Sequence, residues 1–316
     1  MKKLFTMMVA AILLLSLTTC QKSKPPSYTL AATIDASTIV QGMKDATNRD
    51  YYTQDGNTPV QLTFLVYDEE GSLVYQSQTE LADFFGASSF STNLEEGNYT
   101  VVVWACTYYQ SDPAWISSDN SKLSALVLRL NTDAGICAPM KPVLGVSKTS
   151  VTLNTANNIN ISVPTAGCFY CVCLNYASTT QASYANCLGS KEGAAYTVNS
   201  GKSDYISDPS YYMWLDKYTI NTQYSGIYDC FFSLPMDQAL GWKTYDANGN
   251  QLKTGQFSFT AEAGKHQIFY VNIDTGVQSS SPAINSGQYE SAGMQQVFNV
   301  GTMKAEPAKV SYELLK

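Results

Sequence analysis

Apolar and polar residues alternate with a period of two over many short stretches of this chain, whereas long amphipathic helical patterns do not occur. Residues 60–67, Val-Gln-Leu-Thr-Phe-Leu-Val-Tyr, predict a strand, and the turn residues Asp-Glu-Glu-Gly follow at 68–71. The turn-forming stretch 93–98 leads into residues 99–105, which predict a strand rich in Val and aromatic residues. Strands and turns in this order predict an all-β domain from about residue 28 to residue 133.

A weak internal repeat predicts a second domain of the same kind. The sequence Tyr-Asp-x-x-Gly of residues 67–71 recurs at 245–249. A Gly-containing turn and an aromatic strand follow each copy, at 95–104 and at 262–273. Two copies of one hairpin, turn and strand predict two related β-sandwiches, although any two antiparallel sheets can share such turns.

The boundary between the two predicted domains is expected near residue 138. Pro139, Pro142 and Gly145 interrupt the strand pattern there. We therefore expect an N-terminal sandwich over residues 28–137 and a C-terminal sandwich with a loop-rich tail over residues 138–316. Residues 151–163 and 168–176 are expected to open the second domain.

The first residues have the three parts of a secretory signal. Two lysines supply the positive start, and an apolar run of 11 residues extends from Met7 to Leu17. A membrane span needs about 20 residues, so a cleaved signal peptide over residues 1–19 is expected instead. The sequence Leu-Thr-Thr-Cys that ends at Cys20 is typical of a bacterial lipobox and predicts lipid, including palmitate, on Cys20. The alternative is an ordinary secretory signal beside a chance cysteine.

The lipid on Cys20 is expected to hold the mature protein to a membrane through acyl chains. Residues 20–27, which contain two prolines, are expected to form a polar tether. Removal of the signal leaves 17 of the 19 basic residues against 26 acidic ones, a formal charge of −9. This charge argues against nucleic acid and against anionic lipid headgroups as partners, because both require a basic surface.

Seven cysteines remain after Cys20. Outside the cytoplasm they can form disulfides, and we expect between zero and two, with no pairing assigned by the sequence. Cys168-Phe-Tyr-Cys171 has the spacing of a redox motif. Its apolar flanks predict a buried strand rather than the helix N-terminus that activates such pairs.

The sequence contains no credible catalytic set. His266 is the only histidine, and no nucleophile signature accompanies it. A zinc site that uses histidines usually needs two or three of them. We therefore expect no enzyme activity, no cofactor and no metal.

Aromatic residues interleaved with polar ones form the most suggestive candidate for a binding site. Tyr211, Tyr212, Trp214 and Tyr218 lie among Ser, Asp and Asn residues. Such rings can stack on sugar faces or contribute to protein interfaces. Alternatively, some of them belong to the core of the second sandwich.

Taken together, these features resemble the fimbrillin-like lipoproteins of Bacteroides-type bacteria, which include the anchor subunits of type V pili. The resemblance is carried by the lipobox, the hairpin at residues 64–71, the element Gly-x-Tyr-x-φ-φ-φ-Trp at 97–104 and the segment 123–130. It implies two tandem transthyretin-like (Ig-like) β-sandwich domains and an outer-membrane lipid anchor at the cell surface. It also implies pilin or other fimbrial subunits as partners.

The same resemblance makes Arg49 a candidate site of proteolytic processing. Pilins of this family assemble by strand exchange after an Arg-specific protease removes the first strand. Arg49 lies in the polar stretch 45–50, which can also be a simple loop. Residues 21–24 lack the acidic run that often directs these lipoproteins outward. The sequence therefore does not decide on which face of the outer membrane the protein lies.

Two functional hypotheses follow. The first is a non-catalytic outer-membrane lipoprotein that acts in cell adhesion or in the assembly and anchoring of fimbriae. The second is a surface glycan-binding lipoprotein that serves polysaccharide uptake.

Overall fold

The computed structural model of the protein describes residues 25–39, 59–109, 111–131, 143–189, 193–205, 213–214, 218–279, 288–291, 297–299 and 310–313. The strands are β1 (Ser27–Asp35), β2 (Val60–Tyr67), β3 (Leu73–Leu81), β4 (Ala87–Glu95), β5 (Gly97–Tyr109), β6 (Asp112–Pro113), β7 (Trp115–Ser117), β8 (Val127–Leu130), β9 (Leu144–Leu153), β10 (Asn157–Ser162), β11 (Cys168–Asn175) and β12 (Tyr184–Gly189). They continue with β13 (Gly193–Thr197), β14 (Lys202–Tyr205), β15 (Met213–Trp214), β16 (Tyr218–Thr219), β17 (Gly226–Ser233), β18 (Asp237–Tyr245), β19 (Gln251–Thr260), β20 (His266–Asn272), β21 (Gln278–Ser279), β22 (Gln288–Ser291), β23 (Val297–Asn299) and β24 (Val310–Glu313). A single turn of 3₁₀ helix spans Leu123–Ala125.

The prediction of an all-β protein is confirmed. The strand predicted at residues 60–67 has these bounds in the structure, and the strand predicted at 99–105 forms the middle of the longer β5. Within the described residues, no helix has the length and apolar character that a membrane span requires.

Three sheets pack in layers around the first core. The middle sheet has the order β3-β2-β5-β9, and β10-β1-β4 covers one of its faces. Between these layers the ring of Phe64 stacks on that of Phe90, with centroids 4.9 Å apart. The sheet β14-β13-β8-β7 covers the other face, where the Cys106 thiol donates a hydrogen bond to the Trp115 carbonyl oxygen at 3.7 Å. The central strands β2 and β5 of the middle sheet are therefore buried on both faces.

Strands on the far side of the predicted domain boundary complete these layers. β9 pairs with β5 over ten positions, from Gly97 opposite Leu153 to Cys106 opposite Leu144. β10 runs parallel to β1, and β13 pairs with β8. Residues 151–163, which were expected to open the second domain, pair within the first two layers. Gly145 lies within β9, opposite Ala105, whereas Pro139 and Pro142 lie outside the described residues. The boundaries and the number of domains stay predictions.

Two further sheets enclose a second core. One has the order β21-β20-β11-β17-β22-β23; the other has the order β15-β12-β18-β19-β24, with β16 also on β12. Buried side chains between them include Val172, Leu174, Trp242, Phe259 and Phe269.

The two copies of the predicted hairpin have the same turn geometry. The backbone N–H groups of Ser72 and Asn250 donate to the carboxylates of Asp68 and Asp246, at 2.7 and 2.8 Å. Gly71 and Gly249 both adopt positive φ angles, 71° and 86°, which a side chain would disfavour. The similarity ends with the hairpin: β5 pairs with the hairpin strand β2, whereas β20 lies in the other sheet beside β11.

Gly167 provides a test of the packing where the two cores meet. An added Cβ would lie 2.4 Å from the Phe232 ring and 2.4 Å from the Ser233 carbonyl oxygen. We expect Gly167→Ala to lower the free energy of unfolding by about 1–3 kcal/mol through overpacking. The measurement is urea unfolding monitored by tryptophan fluorescence.

Gly86→Ala is the matched control for this substitution. Its added Cβ would meet its nearest neighbours at 3.5 Å, which is ordinary contact. We expect a change within about 0.5 kcal/mol. Equal unfolding midpoints for the two variants would contradict the close approach at Gly167.

Candidate functional site

Most residues that the sequence singled out lie outside the described part of the chain. Cys20, Arg49, Tyr211 and Tyr212 belong to this group. Trp214 and Tyr218 lie in two short strands, β15 and β16, whose backbone pairing with β12 is described. The roles suggested for all six stay predictions.

The strand that follows the predicted tether is the central strand of its sheet. β1 pairs with β4 over nine positions and with β10 over six. Leu30, Ala32 and Ile34 are each only 1% exposed. The pairing begins at Pro26, whose carbonyl oxygen accepts a hydrogen bond from the Glu96 N–H at 2.9 Å. The chain is thus built into the fold within a few residues of Cys20.

The described residues on either side of the segment that contains Arg49 lie at the opposite end of β1. At the end of β1, the Thr165 hydroxyl donates to the Ile39 carbonyl oxygen at 2.7 Å. Before β2, the Pro59 carbonyl oxygen accepts from the Tyr108 N–H at 3.0 Å. A nine-residue strand extends for about 30 Å, so both ends of the segment are far from the start of β1.

The outer edge of β4 directs backbone groups away from β1. The bond from Glu96 to Pro26 shows that even-numbered residues of β4 form hydrogen-bonded pairs with β1, in a register that is unbroken to Ala87. Odd-numbered residues therefore direct their backbone N–H and C=O groups outward, among them Ser89, Ser91 and Asn93. No described strand pairs with this edge.

The sequence of β4 does little to protect this edge. Proteins usually blunt open edges with charges, proline or a bulge. β4 has no proline, no register shift, and one charge, at its last residue Glu95. The two edge strands of the middle sheet are better protected. β9 has the exposed Lys148 near its middle, and the ladder that joins β3 to β2 contains a register shift.

Trp214 and Tyr218 lie along the same edge of β12 but on opposite faces of the sheet. Trp214 pairs with Leu188, and Tyr218 pairs with Ala185. Positions three apart in a strand belong to opposite faces. Ala185 is buried in the second core, so the position of Tyr218 is on the core face and that of Trp214 on the outer face. The binding role suggested for these two residues stays a prediction.

The outer face of this sheet has an aromatic pair that the sequence pattern did not indicate. Tyr184 and Tyr245 are cross-strand partners, and their rings stack with centroids 5.2 Å apart at 20°. Both side chains are partly exposed. Trp214 shares this face, about 13 Å along β12 from Tyr184. Only the strand register brings the two tyrosines together, and no local pattern encodes it.

The cysteine side chains that the structure describes are unsuited to nucleophilic chemistry. Burial raises the pKa of Cys106 and of Cys168 to about 12 and also raises that of Cys173. Buried, protonated thiols are weak nucleophiles. Cys168 and Cys173 thus agree with the interpretation of this segment as a buried strand.

No cluster of metal-ligating side chains stands out in the part of the chain that the structure describes. There, no group of three or more His, Cys, Asp or Glu residues is positioned to hold a metal ion. His266 begins β20 and lies opposite Phe169 in the parallel register.

Residues 46–165 match the model of one protein family, the fimbrillin-A associated anchor proteins Mfa1 and Mfa2. The predicted resemblance to fimbrial anchor proteins is confirmed. The matched segment ends directly after β10, so it contains every strand of the middle layer and of the first covering layer except β1. No curated protein matches the chain.

Solved structures are similar to the chain at low identity. The fimbrial anchor protein Mfa2 from Porphyromonas gingivalis is 12% identical, with a TM-score of 0.45 over 72% of this chain and 82% of its own. A fimbrial assembly protein from Parabacteroides distasonis is 10% identical, with a TM-score of 0.40 over 87% and 100%. A candidate polysaccharide-binding protein from Bacteroides thetaiotaomicron is 12% identical, with a TM-score of 0.47 over 82% and 99%. Similarity at this level supports no conclusion about function.

Thiol alkylation tests the burial of the cysteines. At pH 8, a pKa of about 12 leaves about one thiol in 10,000 as thiolate. We expect Cys106 and Cys168 of the native protein to resist iodoacetamide, and both to react fully in guanidinium chloride. Mass spectrometry of the digested protein measures this. Equal rates in the native and denatured protein would contradict the buried placement.

Proposed function

We propose that the protein is a non-catalytic outer-membrane lipoprotein that acts in cell adhesion or in the assembly and anchoring of fimbriae. The observation that carries this proposal is the match of residues 46–165 to the family of fimbrial anchor proteins. The placement of β1 supports it, because the strand that follows the tether is held by ladders on both sides. A force applied to the lipid on Cys20 would act parallel to β1 on the backbone hydrogen bonds of these two ladders.

The tether sets the orientation of the protein in this proposal. Five residues separate Cys20 from Pro26, where the pairing begins, and this stretch spans at most about 20 Å. The turn at Glu95 and Glu96 would then face the membrane at the cell surface. The segment with Arg49 would lie at the distal end, where cleavage would leave lipid-bearing β1 held to the rest of the chain by strand pairing alone.

Fimbrial subunits are the proposed partners, and addition of a strand to the edge of β4 is the proposed mode of contact. The backbone groups of three successive odd-numbered residues, Ser89, Ser91 and Asn93, point outward from this edge. An extended segment of a subunit can pair with such groups, as in other cases of strand addition.

A proline at Ser91 tests this mode of contact. Ser91→Pro removes an outward N–H and leaves the bonds from β4 to β1 in place, since proline is tolerated where the N–H faces solvent. We expect about a tenfold loss of co-purifying fimbrial subunits, the effect of about 1.4 kcal/mol. The measurement is quantitative mass spectrometry after affinity isolation from the outer membrane.

Ser91→Ala is the matched control, because it keeps the N–H, and we expect it to retain the subunits. Equal capture by both variants would contradict strand addition at β4, and absence of fimbrial subunits from the wild-type sample would contradict the fimbrial role. Cys20→Ser should move the protein out of the membrane fraction. N-terminal sequencing that starts at residue 50 would support cleavage at Arg49, whereas a chain that always starts at Cys20 would remove that hypothesis.

The second candidate function is a surface glycan-binding lipoprotein that serves polysaccharide uptake. The stacked and partly exposed Tyr184–Tyr245 pair favours it, because tyrosine presents an apolar ring and a hydroxyl to one ligand. Trp214 lies on the same face, whereas Tyr218 lies on the other.

A glycan array with purified variants separates the two functions. If this face binds glycans, Tyr184→Ala should lose affinity about tenfold through loss of ring contact, as should Trp214→Ala. Tyr184→Phe keeps the ring and should lose less. Retention of glycan binding by both alanine variants would contradict a glycan site on this face, and absence of glycan binding by the wild-type protein would contradict the second function.

A further inference from the structure

Two cysteines occupy paired positions on β11 and β17, the two central strands of the sheet β21-β20-β11-β17-β22-β23. β11 and β17 are antiparallel neighbours, and Cys171 lies directly opposite Cys230. The register is unbroken from Cys168 opposite Ser233 to Asn175 opposite Gly226.

One backbone hydrogen bond identifies the type of this pair. The Tyr176 N–H donates to the Ser225 carbonyl oxygen at 3.0 Å, and these residues continue the same register by one position. Hydrogen-bonded and non-hydrogen-bonded pairs alternate along an antiparallel ladder. Cys171 and Cys230, five positions from Tyr176 and Ser225, therefore form a non-hydrogen-bonded pair.

This type of pair brings the two backbones closest together. Its Cα atoms lie about 4.5 Å apart, and its Cβ atoms are closer than those of a hydrogen-bonded pair. A disulfide requires Cα atoms about 4.4–6.8 Å apart, and the usual spacing of a non-hydrogen-bonded pair lies within this range.

Other cysteines in the described ladders do not face a cysteine. Cys168 lies opposite Ser233, Cys173 opposite Tyr228, and Cys187 opposite Trp242. Cys106 lies opposite Gln61 on one side and Leu144 on the other. Within the described strands, Cys171 and Cys230 are the one pair of cysteines in register.

We propose that Cys171 and Cys230 form a disulfide after export. Both thiols lose their protons, a bond forms between the two sulfur atoms, and the two electrons reduce the disulfide of a thiol:disulfide oxidoreductase to a dithiol. The proposal rests on the export step of the proposed function and is independent of the fimbrial partner.

The bond would join the two central strands of the six-stranded sheet and close the chain that contains β12 to β16. It would thereby restrain the unfolded chain around the strands that contain Trp214 and Tyr218. We expect reduction with dithiothreitol to lower the melting temperature by about 10 °C.

Peptide mapping of the full-length protein from the cell envelope tests the proposal. The protein is denatured without reductant, alkylated with iodoacetamide and digested with chymotrypsin, which cleaves after Tyr170 and so separates Cys168 from Cys171. We expect one linked peptide that joins Cys171 to Cys230, with Cys168 and Cys173 alkylated. Alkylation of Cys171 and Cys230 before reduction, or a link through another cysteine, would overturn the proposal.

Variants check the same link independently. Cys171→Ser should make Cys230 available for alkylation, and Cys230→Ser should do the same for Cys171. Cys187→Ser is the control and should leave the linked peptide unchanged, whereas its loss there would count against the proposed pair.

The compartment separates failure of this proposal from failure of the proposed function. A chain found only in the cytoplasm, with its leader retained, would contradict the proposed export. The purified protein is then treated with an oxidised thiol:disulfide oxidoreductase, and the same linked peptide is expected. Its absence after this treatment would overturn the pairing itself.

Discussion

The layers around the first core depend on one constraint, which is that the central strands of the middle sheet are apolar on both faces. β2 is apolar or uncharged at every position, and Phe64 and Leu65 belong to opposite faces with almost no exposure. β5 lies beside it and is equally buried at Val102 and Val103. A sheet of this kind is stable in water only when other layers cover both faces, since burial of apolar surface is the main favourable term in folding.

The covering layers come from distant parts of the chain. β1 and β10 belong to one layer although more than a hundred residues separate them, and β8 and β13 meet in the other layer although about 60 residues separate them. Phe232 of β17 and Leu234, which follows β17, also pack in the first core. Complete burial of the first core therefore requires residues well beyond the segment that matches the fimbrial anchor family.

This arrangement joins the proposed anchor to the proposed contact surface. The chain that leaves the membrane at Cys20 would enter the fold as β1, and β1 shares its ladder with β4, whose other edge pairs with no described strand. A subunit strand added at that edge would lie two strands away from the lipid-bearing one. Tension between fimbria and membrane would then act along paired strands, where many hydrogen bonds resist together, rather than through a flexible loop.

The aromatic residues show how much local composition can predict about a binding surface in this protein. Their abundance near residue 214 suggested a binding patch, yet the register assigns Trp214 and Tyr218 to opposite faces of one sheet. Tyr184 and Tyr245, far apart in sequence, make the stacked pair on the outer face. The positions of Cys171 and Cys230 show the same principle, because only the antiparallel register brings them opposite each other.

The sequence by itself determined the features that arise from neighbouring residues. Period-two alternation predicted the strands, the Tyr-Asp-x-x-Gly pattern predicted two hairpins of the same geometry, and the order of motifs indicated the fimbrial family. The tertiary structure alone decided which strands pair, that β9 and β10 complete the first two layers, and which side chains share a face. These depend on contacts between residues distant in the chain. The local pattern reports that a face is apolar, but it does not report which segment covers it.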